Sequence, residues 1–181
     1  PIYAVIRGSA INQDGTTNGI SVPSQDAQEA MLIEAYKDAG VDPHKVQYVE
    51  AHGTGTLVGD PIEAGAIGKV IGTDRRDTCY IGSIKANIGH LEPASGSAGF
   101  TKAVLAIKHR VIPPNIHYQT PNPDIPFDKL KLKVPTKLEK WPTHKDGCFA
   151  GVNSFGFGGS NVHLVLEGMP TNNNKSKTAN K

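Results

Sequence analysis

Three short β-branched or aromatic runs alternate with segments whose apolar residues recur every three or four positions, and few folds accommodate that alternation. "IYAVIRGSAI" reads as a strand that breaks at "NQDGTTNG", where Asp14-Gly15 and Asn18-Gly19 are turn signals. From Ser24 to Ala39 the residues Leu32, Ala35, Tyr36 and Ala39 fall at i, i+3, i+4 and i+7, the period of a helix with one buried face, and Gly40 stops it. "KVQYVEA" is a second strand ending at His52. In "GDPIEAGAIGKVIG", Asp60 stands as an N-cap, Pro61 as the first helical residue and Glu63 as a capping-box acid, which predicts a helix from Pro61 to near Gly72. "TCYIGS" is a third strand, and Phe100, Ala103, Val104 and Ile107 set a further helix beyond Ser95, to about Arg110. Strand and helix in strict turn argue for an α/β layered sheet.

The remainder breaks this rhythm. Residues 112 to 126 hold Pro113, Pro114, Pro121, Pro123 and Pro126, which continue neither ladder nor helix and predict an extended surface strap. "LKLKV" alternates as an edge strand would, with its lysines toward water. "CFAGVNSF" and "NVHLVLE" read as two closing strands joined by the turn "GFGG". The polar segment 169 to 181 has the composition of a disordered tail or linker, and no internal repeat is visible.

With 181 residues, 38% hydrophobic and 20% charged, the chain suits one globular domain with a single sizeable core. Nineteen Lys plus Arg against 17 Asp plus Glu leave a net charge of +2, which offers no electrostatic case for nucleic acid or an anionic membrane. No apolar run has the length of a membrane span. Cys79 and Cys148 lack CxxC spacing and no leader precedes "PIYAVIRG", so a reducing, cytoplasmic setting is expected. Pro1 in place of an initiator methionine suggests a piece of a longer protein.

"SIKANIGHLEPASGSAGF" sets Lys85 and His90 five residues apart among small residues, with Glu92 close by. Small residues let backbone and ligand approach, so the cation and the imidazole read as aimed at something. His52 in "AHGTGT" likewise sits where a strand runs out into a glycine loop, the place where open α/β sheets bind ligands, with Thr54 and Thr56 as hydroxyl donors. His44, His109, His117 and His144 read as solvated, and His163 as a packed or hydrogen-bonded wall residue. The glycine loops fit neither a phosphate loop nor a dinucleotide fingerprint. A zinc site of His52, His90 and His163 lacks ligand spacing and a carboxylate partner, so no metal is expected. Neither cysteine stands in a small-residue elbow, and both read as buried apolar residues. Acid-base equipment is present without an evident nucleophile.

Taken in order, "VEAHGTGTLVGDPIEAGAI", "IGSIKANIGHLEPASGSAGF" and "GVNSFGFGGSNVHLVLE" closely resemble the carboxyl-terminal half of a β-ketoacyl synthase of the kind found in modular type I polyketide synthases, and "YAVIRGSAINQDGTTNGIS" resembles the start of that half. The likeness covers roughly residues 1 to 168. It implies a thiolase-like α/β fold, a mixed sheet layered with helices, of which this chain is the second of two related halves.

By motif, His52 and His90 resemble the family's histidine pair and Lys85 the lysine that organises its site. Thr54 and Thr56 resemble the threonines that hydrogen-bond a pantetheine arm. Phe155 and Gly156 lie in the substrate-contacting "NSFGFGG", where Phe155 resembles a gating residue whose N–H completes an oxyanion hole.

The activity so implied is decarboxylative Claisen condensation of an acyl thioester with a malonyl-type thioester carried on the phosphopantetheine arm of an acyl carrier protein, with no tightly bound cofactor. The family's nucleophilic cysteine belongs to the missing amino-terminal half, so the isolated chain is expected to be inactive, and the full domain to be a homodimer. Two other classes stand beside this reading: a non-catalytic carrier-binding or scaffold half-domain, against whose decay the intact His52, His90 and Lys85 argue, and a hydrolase using Cys148.

Overall fold

A computed structural model describes residues 1–169 apart from 20, 144 and 146. The expectations for His144 and for the tail from residue 170 onward fall outside the described residues. A six-stranded mixed sheet has the order β1 (Ala4–Gln13), β8 (Ser160–Gly168), β7 (Phe149–Phe155), β2 (Tyr48–Glu50), β3 (Cys79–Gly82) and β5 (Leu132–Lys133). β2 lies parallel to both β3 and β7, and the β7–β8 hairpin and β1 close the sheet in antiparallel fashion.

Helices cover both faces. α1 (Gln25–Ala39) and α2 (Gly59–Ile67) bury Leu32, Ala35, Tyr36 and Ile67 with Val49, Phe149 and Val165 on one side. On the other side, α4 (Ser95–His109) buries Ala103 and Ile107 with Tyr48, Ala150 and Leu166. Successive residues such as Tyr48 and Val49, or Val165 and Leu166, enter opposite cores, as the two-residue period of a strand requires. Close approach is built in at Gly8, where a Cβ would stand 2.4 Å from the backbone nitrogen of Ala39 at the end of α1.

α1 and α4 keep the expected spans, with Ser24 Oγ capping α1 at the N–H of Ala27 and Gly40 in the left-handed conformation behind it. β1 runs on to Gln13, beyond the expected break, because pairing with Ser160 supports it. "LKLKV" supplies the sheet-edge strand β5, with Leu132 buried and Lys131 and Lys133 exposed.

The second helix departs from expectation. It starts at Gly59 with no cap from the side chain of Val58, the residue before it, and passes at Gly68 into a π-helical turn that ends at Gly72. Asp60 and Glu63, read as capping residues, serve the preceding loop instead. β6 (Glu139–Lys140) was not foreseen and pairs with β4 (Val111–Ile112). The proline-rich strap is irregular but not wholly superficial, since Ile125 is 9% exposed and the Asn115 side chain accepts a hydrogen bond from Ser83 N–H at 3.0 Å. Among the described residues no helix is long and apolar enough to cross a membrane.

Candidate active site

Because β7, β2 and β3 are adjacent and parallel, their carboxyl ends lie at one edge of the sheet. Phe155 ends β7 itself, and from the ends of β2 and β3 run the segments that carry His52 and His90, the last reached through the single turn α3 (Lys85–Ile88). The imidazoles of His52 and His90 meet edge to face with centroids 5.3 Å apart, and Phe155 flanks His52 at 5.2 Å. His52, His90, Thr54, Thr56, Phe155 and Gly156 all line one cavity of about 630 Å³.

Backbone donors fix both rings. Phe155 N–H donates to His52 Nδ1 at 3.2 Å, and Glu92 N–H donates to His90 Nδ1 at 2.9 Å. A nitrogen that accepts holds no proton, so each neutral ring carries its hydrogen on Nε2. Burial, then the charge of Lys85 and then His90 lower the pKa of His52 to about 3, which keeps it neutral. The N–H of Phe155, assigned by resemblance to an oxyanion hole, is therefore already engaged by His52.

Glu63 escaped the sequence reading as a site residue. Buried on α2, it accepts from His52 N–H at 2.7 Å, Gly53 N–H at 2.9 Å and Asn153 Nδ2 at 2.8 Å. Burial raises its pKa while these bonds oppose the shift. The capping-box pattern hid it, because an acid at that position satisfies either demand. Asp60 Oδ1 accepts from Gly55 N–H at 3.0 Å, and Thr56 Oγ1 accepts from Gly59 N–H at 3.0 Å, so the "HGTGT" turn is tied to α2 throughout.

Lys85 is half-buried and does not line the cavity. Desolvation lowers its pKa, against the raising influence of Glu63, Glu50 and Asp60. Its turn is held by Glu50, another residue that sequence reasoning missed. The Glu50 carboxylate is 1% exposed, accepts from Ile84 N–H at 2.6 Å, and pairs with Lys102 Nζ at 2.8 Å and with the hydroxyl of Tyr48. It occupies a strand position that reads as apolar.

His163 belongs to the wall, as expected. Its Nδ1 meets Asn153 Oδ1 at 2.6 Å and its Nε2 meets the Tyr36 hydroxyl at 3.0 Å, and burial lowers its pKa to about 3. It is thus turned away from any three-histidine metal arrangement. His44, His109 and His117 are exposed. Burial raises the thiols of Cys79 and Cys148 to about 12 and about 11, and neither lines the cavity.

A family model described as Beta-ketoacyl synthase, C-terminal domain matches residues 3–119, and one described as Ketoacyl-synthetase C-terminal extension matches residues 121–181. A highly reducing polyketide synthase of Aspergillus terreus is 54% identical over 170 residues, covering 93% of this chain and 6% of its own length. A phenolphthiocerol/phthiocerol polyketide synthase polypeptide of Mycobacterium tuberculosis is 54% identical over 168 residues, covering 92% and 9%. The ketosynthase from module 6 of the bacillaene synthase of Bacillus subtilis superimposes with a TM-score of 0.89 at 42% identity, over 95% of this chain and 33% of that one. The chain thus spans less than a tenth of these curated relatives and a third of that solved ketosynthase. The order of its motifs, the sheet that gathers them and these matches together show that the chain belongs to the β-ketoacyl synthase family, as the carboxyl-terminal part of a thiolase-like ketosynthase domain.

Proposed function

We propose that this chain supplies the decarboxylation side of a ketosynthase active site that condenses an acyl thioester with a malonyl-type thioester. One observation carries the reading: two neutral imidazoles, each with its Nδ1 occupied by a backbone N–H, converge on one cavity with Nε2–H as the remaining donor. Loss of carbon dioxide from a malonyl thioester leaves an electron pair that delocalises onto the thioester oxygen. Two preorganised N–H donors stabilise that enolate more than they stabilise the ground state, which is what lowers a barrier. Its carbon then attacks the acyl thioester, a carbon–carbon bond forms and the sulfur leaves as thiolate.

That sulfur comes from outside this chain, because Cys79 and Cys148 are buried with raised pKa values and stand off the cavity. Burial first, and then the positive charge of Lys85, keep His52 uncharged. Thr54 and Thr56, exposed on the cavity rim, suit hydrogen bonding to the phosphopantetheine arm of an acyl carrier protein, which serves as carrier of the substrate. In the full-length polypeptide that carries this chain, the test is carbon dioxide release and β-ketoacyl product from the two thioesters. His52→Ala and His90→Ala are each expected to lower the rate by about two to three powers of ten. Undiminished condensation in both variants refutes the assignment.

A further inference from the structure

Gln28, the fourth residue of α1, is 1% exposed, yet neither its Oε1 nor its Nε2 has a hydrogen-bond partner. Among the described residues no other buried side chain is left in that condition. Natural folds rarely leave such a group unpaired without a reason that lies in a water, an ion or a ligand. Gln28 belongs to the wall of the cavity that His52 and His90 share.

Its neighbours on that wall have their partners already. Glu63 is bound by His52, Gly53 and Asn153, and Asn161 Nδ2 donates to Asn12 Oδ1 at 3.2 Å and Asp14 Oδ1 at 2.7 Å. Gln25, three residues earlier on the same helix, donates through Nε2 to Glu29 at 2.9 Å. The unpaired state is thus peculiar to Gln28 and not a general looseness of α1.

We propose that Gln28 is a further substrate-contact residue of this site, and that its carboxamide pairs with a secondary amide of the pantetheine-type arm that delivers the thioester. The inference rests on the ketosynthase reading given above. A carboxamide offers a donor and an acceptor side by side on separate atoms, and another amide matches both at once through its own N–H and C=O, where a hydroxyl brings a single oxygen to both. A carboxylate answers only the donor, a cation only the acceptor, and an alkyl chain neither. The arm contains two such amides along the tether to its sulfur, so a contact apart from the histidines suits its length. At about 630 Å³ the cavity exceeds what a thioester head alone fills and falls in the range of ordinary small-molecule sites. The terminal amide torsion of glutamine is broad, which lets the group turn toward an arriving partner.

The experiment compares Gln28→Met with the unaltered full-length polypeptide, because methionine keeps the volume and removes both hydrogen-bonding groups. Calorimetry gives dissociation constants for pantetheine and for an analogue whose amides are replaced by esters. The unaltered protein is expected to prefer pantetheine, and the variant to narrow that preference about five- to tenfold, the worth of one neutral hydrogen bond, because the ester keeps its carbonyl and lacks only the N–H that meets Gln28 Oε1. Its thermal midpoint is expected to hold or rise, since an unpaired buried polar group has been removed. An unchanged preference overturns the proposal. So does a variant that melts several degrees lower or fails to fold, because the carboxamide then has its partner inside the fold. Arm binding is read without turnover, so loss of condensation in the unaltered protein sinks the ketosynthase reading separately.

Discussion

His52 and His90 stand 38 residues apart, one just past the end of β2 and the other beyond the turn α3 that follows β3, yet their rings meet at 80° with centroids 5.3 Å apart. Parallel pairing of β2 with β3 is the cause, because it brings two strand ends to the same edge. The backbone then sets the tautomer of each ring, so the pair is prepared before substrate arrives.

The first prediction concerns protons. The pKa values of His52 and His163 are both lowered to about 3 from the ordinary value of 6.5. Neither ring should titrate between about pH 5 and pH 8 in an NMR experiment that follows the imidazole resonances. The unfolded chain binds these protons first, so stability is fully present above about pH 6.5 and declines as the pH falls toward 3. His163, wholly enclosed, should dominate the decline. A urea midpoint that stays flat or rises over that interval contradicts the assignment.

A second prediction separates the cysteines from the chemistry. With thiols raised to about 12 and about 11 and closed off by burial, Cys79 and Cys148 should resist an aromatic disulfide reagent until the fold opens. Cys148→Ala should leave condensation within about a factor of two, because the site does not include that sulfur. Rapid labelling of Cys148 itself in the native protein, read by peptide mass, or thioester hydrolysis that depends on Cys148, favours the hydrolase class instead.

The third addresses the loop of His52. Glu63→Ala strands two backbone N–H groups and is expected to cost about 3 kcal/mol, whereas Glu63→Gln retains an acceptor and costs about 1 kcal/mol. Gly53→Ala strikes the same loop from the other side, because φ is +49° there and a Cβ would stand 2.8 Å from Ser83 Cβ. A loss of about 2 kcal/mol is expected for it. Chemical denaturation measures all three; a loss below about 1 kcal/mol for Glu63→Ala would show that its hydrogen bonds to the loop carry no weight.

The fourth turns on the pair of Glu50 and Lys102, whose side chains are 1% and 11% exposed. Lys102→Met leaves a buried carboxylate without its counter-charge and should cost about 3–5 kcal/mol. Combining it with Glu50→Gln should restore more than half of that loss, since the stranded charge disappears while an acceptor for Ile84 N–H remains. Additive losses in the double variant mean that the two groups do not depend on each other.

The strand and helix order, the buried face of α1, the sheet-edge strand and the histidine, lysine and threonine motifs were legible in the sequence, because each is written in residues close together along the chain. Capping chemistry at α2 misled for the same reason: local pattern sees Asp60 and Glu63 three residues apart and cannot see the loop that folds back to claim them. The tautomers of His52 and His90, the bracing of the Lys85 turn by Glu50, and the unpaired carboxamide of Gln28 are products of tertiary structure alone. Each depends on which groups a parallel sheet and its helices bring within hydrogen-bond reach from tens of residues away, and a chain read in one dimension does not contain that distance.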